Sequence, residues 1–334
     1  MNNNFTLSVV IPARSEMFLS KTIQDIIDNS SEQTEVIAVL DGVWADPPIN
    51  DHPRVNLIYL SESIGQRAAT NLGVKLSRAK YVAKADAHIS VDKDFDVKML
   101  EAFKRSGDNV VMVPEMRNLH AFNWKCYSPG CDWEEYQGAR RKICPKCGKR
   151  GKVRMKMIWR PRRGTHSRAY CFDSEPKFGY FQEYELREEY IKDKQESNLT
   201  KSMSLQGSFF MATRENYWNL KLCDESLGNW GGQGIEVACK IWLSGGEVLV
   251  AHSTWYAHLF RTRHDFTFPW PVSGRDQQRV KKNVKDLLWG GKYDKAIYPV
   301  SKIVEQFWPV PGWSDEQLKQ LKEYEKKHGI SKKI

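Results

Sequence analysis

Short apolar runs alternate with amphipathic stretches over the first 115 residues of the chain. Leu19, Ile23, Ile26 and Ile27 share one face of a predicted helix, because residues three and four apart lie together on a helical surface. Residues 65–78 are predicted to form a second helix. The predicted strands are 7–11, 35–40, 55–60, 81–85 and 109–113. This alternation predicts a Rossmann-like, mostly parallel sheet with flanking helices, in which ligands bind at the carboxyl ends of the strands.

The alternation stops at residue 116 and resumes near residue 171, which indicates an insertion into one α/β fold. The later part contains predicted helices at 183–194 and 234–243 and predicted strands at 205–213 and 247–252. Helical pieces separated by Pro299, Pro309 and Pro311 follow from Asp276 onward. The predicted regions are a first half at 1–115, the insertion at 116–170, a second half at 171–275 and a helical C-terminal tail at 276–334.

Four of the seven cysteines form two closely spaced pairs inside the insertion. They lie in KCYSPGC and ICPKCGK, twelve residues apart, in segments that contain Gly and Pro. Such paired thiolates are typical of a tetrahedral, structural Zn2+ site. Two disulfides are the alternative, but the absence of a recognisable leader peptide favours a reducing compartment and therefore zinc. The four predicted ligands are Cys126, Cys131, Cys144 and Cys147.

Positive charge is concentrated next to these cysteines. The chain has a net charge of +10, yet residues 140–168 alone hold thirteen basic residues and no acidic one, so the remainder is slightly acidic. A localised cluster of this kind predicts contact with a polyanion, and a solvated surface loop is the alternative. Nearby aromatic residues are candidates for stacking on exposed bases, although most aromatics are core residues. They are Phe122, Trp124, Trp133 and Trp159.

Length and hydropathy exclude several other classes of protein. The 334 residues suffice for one large globular domain or two modest ones. No apolar run approaches the roughly 20 residues that cross a bilayer. We therefore expect a chain without a transmembrane segment that resides in the cytoplasm.

Asp86-Ala87-His88 is the first candidate for chemistry, because it follows a predicted strand. In an extended segment the carboxylate and the imidazole lie on the same side. Mixed oxygen and nitrogen ligands suit Mn2+, which can bridge a diphosphate. Taken alone, the tripeptide is more typical of a surface aspartate beside a core histidine, and its position after the strand favours the metal site.

Several longer motifs resemble a known family. SVVIPARSE, GQRAATNLG and AKADAHISV resemble the nucleotide-binding half of family 2-type glycosyltransferases with the GT-A fold. The later stretches GSFFMATRENYW, GNWGGQGIEVACKIW and AHLFRTRHDF are similar to the catalytic domain of polypeptide N-acetylgalactosaminyltransferases. The resemblance covers most of residues 5–272, apart from the insertion. It implies a GT-A glycosyltransferase of the hexosyl- or N-acetylhexosaminyl-transferase type.

The resemblance also implies roles for individual residues. Asp86, His88 and His258 would bind Mn2+ (or Mg2+), which holds the diphosphate of a UDP-sugar and stabilises its departing charge. Without the resemblance, His258 is interpreted as a buried histidine of an aromatic cluster, and only the resemblance favours metal binding. Residues implied on the nucleotide side are Pro12, Arg14, Glu16, Asp41, Arg67, Asn71 and Arg261. Trp230 and Glu236 are implied on the sugar and acceptor side.

One departure from the family pattern affects the expected mechanism. Gln233 stands where the family usually has an acidic residue after Trp-Gly-Gly. Glu236 is then the nearest carboxylate candidate, because it lies one helical turn further on. Asp224 and Glu225 are the next candidates. Retention or inversion at the sugar carbon stays open.

Residues 260–271 follow the third implied metal ligand and mix aromatic, proline and basic residues. Such a segment can close over a bound nucleotide and exclude water. A packed, aromatic-rich loop is the alternative.

The acceptor is predicted from the insertion. Because cations and a zinc site interrupt the catalytic domain, the first hypothesis is sugar transfer to a hydroxymethylpyrimidine base in DNA. Transfer to protein Ser/Thr or to a glycan or surface polymer is the alternative. A non-catalytic zinc-ribbon module that binds nucleic acid is a second alternative.

Overall fold

The computed structural model describes residues 5–136, 141–260, 270 and 273–330. Its elements are numbered in chain order within these ranges. The strands are β1 Leu7–Ala13, β2 Thr34–Asp41, β3 Val55–Leu60, β4 Tyr81–Ala85, β5 Ile89–Val91, β6 Val110–Asn118, β7 His120–Cys126, β8 Glu134–Tyr136, β9 Val153–Trp159, β10 Thr165–Ser167, β11 Tyr170–Phe172, β12 Phe178–Tyr180, β13 Leu199–Lys201, β14 Phe209–Thr213 and β15 Glu247–His258. The helices are α1 Leu19–Asp28, α2 Gln66–Leu76, α3 Phe95–Ser106, α4 Glu188–Ser197, α5 Arg214–Asn219, α6 Gln233–Leu243, α7 Gly274–Leu288, α8 Val300–Gln306 and α9 Asp315–Lys327.

One ten-stranded sheet joins the first and last parts of the chain. Its main path is β13-β15-β6-β14-β4-β1-β2-β3, with β5 paired to β15 and β10 paired to β6. Of the strands on this path, β3, β2, β1, β4, β6 and β15 run in one direction, whereas β14, between β4 and β6, and β13, at the edge, run oppositely. The prediction of an α/β fold with a mostly parallel central sheet is therefore confirmed.

Helices cover both faces of this sheet, which explains why the central strands are apolar throughout rather than alternating. Along β1, Val9 packs with α1 and α3 on one face, and Val10 packs with α2 and α6 on the other. The helical tail adds to the apolar core on the face that carries α2 and α6, where Val304 and Phe307 are fully buried. None of the helices in the described residues has the length and hydropathy of a membrane-spanning segment.

Several elements differ from the sequence-based predictions: the strand predicted at 205–213 begins only at Phe209, and the helix predicted at 183–194 spans Glu188–Ser197. Helix α3 was not predicted. Strand β15 extends six residues beyond the predicted end at His252, because a register shift between Ala251 and Trp255 lets it continue along β6 and pair with β5. This extension carries His258 to the carboxyl edge of the sheet.

The insertion forms a separate three-stranded antiparallel sheet in the order β8-β7-β9. We call residues 120–159 the ribbon, with 137–140 outside the described part. The chain enters the ribbon directly from β6 and returns through β10, which pairs with β6 again. Trp159 ties the ribbon to α1, because its ring lies 5.5 Å from Phe18 and its indole nitrogen donates to Asp25 Oδ2 at 3.2 Å.

Candidate active site

Asp86 lies directly after β4, at the carboxyl edge of the sheet. Its backbone N–H donates to the Ser208 carbonyl at 2.8 Å, which fixes the turn. The ammonium group of Lys84 contacts the Asp86 carboxylate and donates to the Gly207 carbonyl at 2.7 Å. Lys84 is only 2% exposed, so this positive charge is held inside the site.

Two histidines from distant parts of the chain meet Asp86. His258 Nε2 lies 3.2 Å from Asp86 Oδ2, and His88 Nε2 lies 3.8 Å from the same oxygen. Pairing of His258 with Ile89 holds the two strands together, and the imidazole centroids are 5.0 Å apart. One potential ligand atom from each of the three residues falls within 4.8 Å of the others. The structure therefore brings together the three residues that the resemblance implied.

Burial keeps His258 neutral. Removal from water, together with the charges of His88 and Lys84, lowers the pKa of His258 to about 4, against the opposing hydrogen bond with Asp86. Removal from water disfavours ionised Asp86, but the Lys84 charge and the His258 hydrogen bond outweigh it and hold the Asp86 pKa well below its usual value. Near neutral pH the site thus offers a carboxylate and a neutral imidazole. Such donors suit Mn2+ or a related divalent ion.

One buried atom supports the fit of a metal here. His258 Nδ1 is inaccessible to solvent and has no hydrogen-bond partner among the described residues. Buried polar atoms without a hydrogen-bond partner are uncommon in proteins and often indicate a bound ion or water molecule. The ring therefore retains donor capacity that the protein itself does not use.

Two cavities meet at Asp86. They measure about 280 and 250 Å³, and both are lined by Gln66, Asp86, Trp230 and His258. The first extends toward the start of α6; its other lining residues include Lys84, Phe178, Ser208, Gln233 and Ile235. The second extends toward the end of β1; its other lining residues include Pro12, Glu16, His88, Phe260 and Trp270. The candidate metal ligands consequently separate two spaces of similar size.

Of the residues implied on the nucleotide side, Pro12 and Glu16 line the second cavity, and Glu16 Oε2 lies 3.3 Å from His88 Nδ1. Arg14 faces the neighbouring strand, where it donates to the Asp41 carbonyl at 2.7 Å. Arg261 and most of the segment 260–271 lie outside the described residues.

The Asp41 carboxylate is fully buried and organises the surrounding loops. It accepts hydrogen bonds from the backbone of Ile64 and Gly65 at 2.7 and 3.0 Å, and from Ser63 Oγ at 2.7 Å. Trp270 Nε1 donates to it at 2.6 Å. Because four donors already converge on it, a nucleotide contact by this carboxylate requires one of them to leave. Asp41 lines neither cavity, and it is linked to the second one through its hydrogen bond with Trp270.

Arg67 and Glu236 form a buried ion pair away from both cavities. Arg67 Nε and Nη2 lie 3.0 and 2.9 Å from Glu236 Oε2, and both side chains are almost completely buried. Lys240 Nζ and the Asp224 backbone N–H donate to Glu236 Oε1 at 2.8 and 2.7 Å. This placement corrects the expectation that Glu236 faces the sugar and acceptor: its oxygens are enclosed and fully hydrogen bonded.

The same network positions Trp230. Arg67 donates to the carbonyls of Gly228 and Gly231 at 2.7 and 2.6 Å, and these glycines flank the tryptophan. Gln66 N donates to the Asn229 carbonyl at 3.1 Å, so the first turn of α2 and this loop are docked together. Arg67 therefore supports the wall of the site rather than lining it.

The remaining implied residues separate into two groups. Gln233 lines the first cavity and its amide nitrogen contacts Cys223 Sγ at 3.0 Å. Asn71 lines neither cavity; it is half-buried, donates to Glu225 Oε1 at 2.7 Å and accepts a hydrogen bond from Tyr217 at 2.7 Å. Asp224 caps the short 3-10 turn that follows it and lines neither cavity.

Sequence reasoning missed several residues at this site. Lys84, Gln66 and Ser208 line the first cavity, and Trp270 lines the second. Lys84 carried a usable signal, because a lysine inside an otherwise apolar strand must have a polar partner when it is buried. Trp270 lies in the segment 260–271, for which closure over a nucleotide was one prediction, whereas Gln66 and Ser208 had no signal, since only the assembled sheet brings them to Asp86.

The four ribbon cysteines converge as predicted. Cys126 and Cys147 Sγ lie 3.7 Å apart, as do Cys131 and Cys144 Sγ. Four sulfurs at about 2.3 Å from a tetrahedral zinc are separated by about 3.8 Å, so the spacing fits the ion. It does not fit disulfides, whose sulfurs lie about 2 Å apart. The turns that place them are closed by backbone hydrogen bonds from Cys131 to Ser128 and from Gly148 to Cys144.

The ribbon's aromatic residues have structural positions. Trp124 is buried with Cys126, Cys144 and Val153, and Trp133 packs against the same small core. Trp159 is held by α1, and the side chain of Phe122 lies outside the described part. The expectation that Trp124 stacks on an exposed base is therefore corrected, because its ring is buried, whereas Trp133 and Trp159 are half-buried and pack against the protein on one side.

Comparison with known proteins agrees with this architecture. The model of glycosyl transferase family 2 matches residues 8–162. The chain is 31% identical over 128 residues to putative polypeptide N-acetylgalactosaminyltransferase 13 of Drosophila melanogaster, covering 36% of this chain and 23% of that protein. It is 24% identical over 327 residues to polypeptide N-acetylgalactosaminyltransferase 8 of the same species, covering 90% and 48%. The chain thus spans about half the length of these relatives or less.

Among solved structures, the fold is similar to that of GalNAc-T7, crystallised with UDP, GalNAc and Mn2+, with a TM-score of 0.60 and 18% identity over 99% of this chain and 55% of that one. Residues 1–349 of Staphylococcus aureus TarS align with a TM-score of 0.50 and 10% identity over 91% and 70%. The chain therefore matches the glycosyl transferase family 2 model over residues 8–162 and shares the GT-A-like fold of these solved structures.

Proposed function

We propose that the protein is a metal-dependent glycosyltransferase that moves a sugar from a UDP-sugar to a hydroxyl group. The observation that carries this proposal is the meeting of Asp86, His88 and His258 between two cavities at the carboxyl edge of the sheet. Ligands of open α/β sheets bind at this edge. The similarity to a GalNAc-T7 structure that contains UDP and Mn2+ supports the same choice of donor and ion.

In the proposed reaction, the bond between the sugar carbon and the UDP oxygen breaks and a bond from that carbon to the acceptor oxygen forms. The acceptor proton is released, and UDP leaves with the bonding electrons. Mn2+ (or Mg2+) held by Asp86, His88 and His258 would neutralise the charge that develops on the departing phosphate. The second cavity would take the nucleotide, and the first would take the sugar and the acceptor.

The chain's own residues shape this step. The Arg67 network holds the loop that carries Trp230, so that its ring forms part of the wall of both cavities. Phe260 and Trp270 line the second cavity and limit the access of water to it. Among the described lining residues of the first cavity, Asp86 is the only carboxylate, and Gln233 occupies the place where the family pattern has an acid.

The test is release of UDP from a panel of UDP-sugars by the full chain. We expect release to require Mn2+ and to stop in EDTA. Asp86→Asn and His258→Asn should each lower the rate at least about 100-fold, because each removes one ligand of the ion. His328→Asn, at an exposed histidine of the tail, is the matched control. Equal rates in the ligand variants and the control would refute the proposal, as would the absence of release, which instead fits a non-catalytic module.

For the acceptor, we propose a hydroxymethylpyrimidine base in DNA. The support is the ribbon, which begins next to the candidate metal site: Leu119 N donates to the His258 carbonyl at 2.9 Å, and β7 starts at the following residue. The names of the relatives favour a different acceptor, a polypeptide Ser or Thr. Transfer of radiolabelled sugar to hydroxymethylated DNA, ordinary DNA and a Ser/Thr peptide distinguishes the two. Labelling of the peptide alone would overturn the DNA acceptor and leave the donor chemistry intact.

A further inference from the structure

The ribbon contains more positive charge than its own acids can neutralise. Its acidic residues in the described part are Asp132, Glu134 and Glu135. Each is already paired: Asp132 contacts Lys146, and Glu135 contacts Arg141 at 3.0 Å. Glu134 contacts Lys125 and Lys156, at 3.1 and 3.0 Å. The three carboxylates are thus paired with Lys125, Arg141, Lys146 and Lys156.

Five further cations of the ribbon are exposed and make no ion pair with any carboxylate that the structure describes. They lie on the hairpin that carries Cys144 and Cys147 and at the start of β9. We call them, together with Tyr127, the basic patch. Its members are Tyr127, Lys142, Lys149, Arg150, Lys152 and Arg154.

Backbone contacts hold these residues next to one another. Gly151 N donates to the Lys142 carbonyl at 3.1 Å, and Tyr127 N donates to the Lys152 carbonyl at 2.9 Å. Arg150 bridges Ile143 across the hairpin. Because Cys144 and Cys147 lie within the same hairpin, the cysteine cluster fixes its shape. The charges therefore belong to one rigid surface rather than to separate loops.

Apolar groups lie between these charges. Tyr127 is 50% exposed and Ile143 is 55% exposed, in contrast to Trp124, which is buried. Lysine and arginine bind phosphate, and an exposed tyrosine ring offers a stacking face for a base. An acidic polypeptide or an anionic lipid surface would use the charges but would not need the aromatic face.

From this arrangement we infer that the basic patch binds the sugar-phosphate backbone of a nucleic acid, with Tyr127 stacking on a base. The inference rests on the proposed function, because it names the polymer that would bring the acceptor hydroxyl to the neighbouring site. It requires the zinc-bound shape of the ribbon. It requires neither a modified base nor a donor sugar, so it can be tested apart from sugar transfer.

The test uses fluorescence anisotropy with the full zinc-loaded chain and short, unmodified, labelled DNA, as a duplex and as a single strand. The variant Lys149→Gln/Arg150→Gln/Lys152→Gln should weaken binding at least about 10-fold at low salt. The slope of log affinity against log salt should fall by about 2 to 3, because each lost phosphate contact removes about 0.7 to 0.9. Tyr127→Ala should weaken the single strand more than the duplex.

The matched control is Lys319→Gln/Lys326→Gln/Lys327→Gln, which removes three exposed cations of α9. It should leave both affinity and salt slope close to those of the unchanged protein. All variants should retain zinc and Mn2+-dependent UDP release, which shows that they are folded. Equal losses in the two triple variants would overturn the inference, because they would indicate a general charge effect.

Two other results would also overturn it. The first is UDP release by a protein that does not bind DNA at low salt, which leaves the donor chemistry standing. The second is tighter binding to a poly-glutamate peptide or to vesicles containing phosphatidylglycerol than to DNA. Conversely, DNA binding that depends on the patch in a protein that releases no UDP would support the inference while refuting the proposed function.

Discussion

The ribbon and the edge of the central sheet each gather potential metal ligands, but by opposite routes. The sulfurs of the four ribbon cysteines lie within 4.8 Å of one another. The ligand atoms of Asp86, His88 and His258 at the sheet edge form a separate group with the same limit. The cysteines come from two turns close in the sequence, whereas Asp86 and His258 are 172 residues apart. The ribbon has only a few buried apolar residues, while the sheet edge rests on two extensive cores. A ligand can therefore create local structure in the ribbon, whereas the sheet edge is formed before any ligand binds.

The largest difference should appear when one cysteine is removed. Cys144→Ser should abolish zinc binding and unfold the ribbon, because structural zinc contributes about 10–16 kcal/mol in small zinc domains. Zinc content and hydrogen exchange of the ribbon amides measure this, while exchange in β1 and β4 should stay slow. Cys171→Ala, at a buried cysteine outside the cluster, is the control. Retention of zinc by Cys144→Ser would contradict the four-sulfur site.

Substitution of Glu236 tests whether this carboxylate stabilises the fold or takes part in the reaction. Glu236→Gln leaves Arg67 and Lys240 buried without their counter-charge, so the free energy of unfolding should fall by about 3–5 kcal/mol. Urea unfolding measures the change, and Glu225→Gln, at an exposed carboxylate, should alter it far less. An unchanged unfolding free energy combined with lost UDP release would instead return Glu236 to a direct role.

The third prediction concerns pH and the sheet edge alone. Since the pKa of His258 falls from 6.5 to about 4 on folding, the unfolded chain binds a proton that the folded chain does not bind between these values. Stability should thus decrease as pH falls from about 6.5 to 4, by about 3 kcal/mol from this group. Urea unfolding in EDTA, for the unchanged protein and for His258→Asn, measures it. Parallel curves for the two proteins would contradict the burial argument.

The smallest effect should come from the exposed charge pairs of the ribbon. Lys146→Gln removes an ion pair with Asp132 whose partners are both largely solvated. Surface pairs of this kind contribute little, so zinc content and Tm should not change measurably. A marked loss of zinc would show that the pair, and not the thiolates alone, holds the second turn.

Much of the architecture is readable from local patterns. The apolar runs at β1, β2 and β4 predicted their strands because burial on both sheet faces selects continuous hydrophobic runs, and the spacing of Leu19, Ile23 and Ile27 predicted α1. The full length of β15 was not readable, since a register shift and pairing with β5 sustain it through polar residues. Helix α3 was missed although Phe95, Met99 and Phe103 follow helical spacing.

The residues of the candidate site likewise divide into those that the sequence predicted and those that it did not. Asp86 and His88 follow from one short motif, and the cysteines follow from their spacing. Glu236 was misplaced because helical spacing shows which residues share a face but not whether that face meets a cavity or a buried arginine. Lys84 lay in a strand whose end was correctly predicted, yet its contact with Asp86 became evident only in the folded chain.

By itself, the sequence determined the alternating α/β order, the cysteine pairs and the residue types that can hold a divalent ion, because each of these depends on near neighbours in the chain. The tertiary structure alone decided which charged groups face the cavities and which lie enclosed: Asp86 at the junction of two cavities, Glu236 sealed against Arg67. The reason is physical. Burial and charge compensation are set by side chains that the fold brings together from more than a hundred residues away, and no local pattern records them.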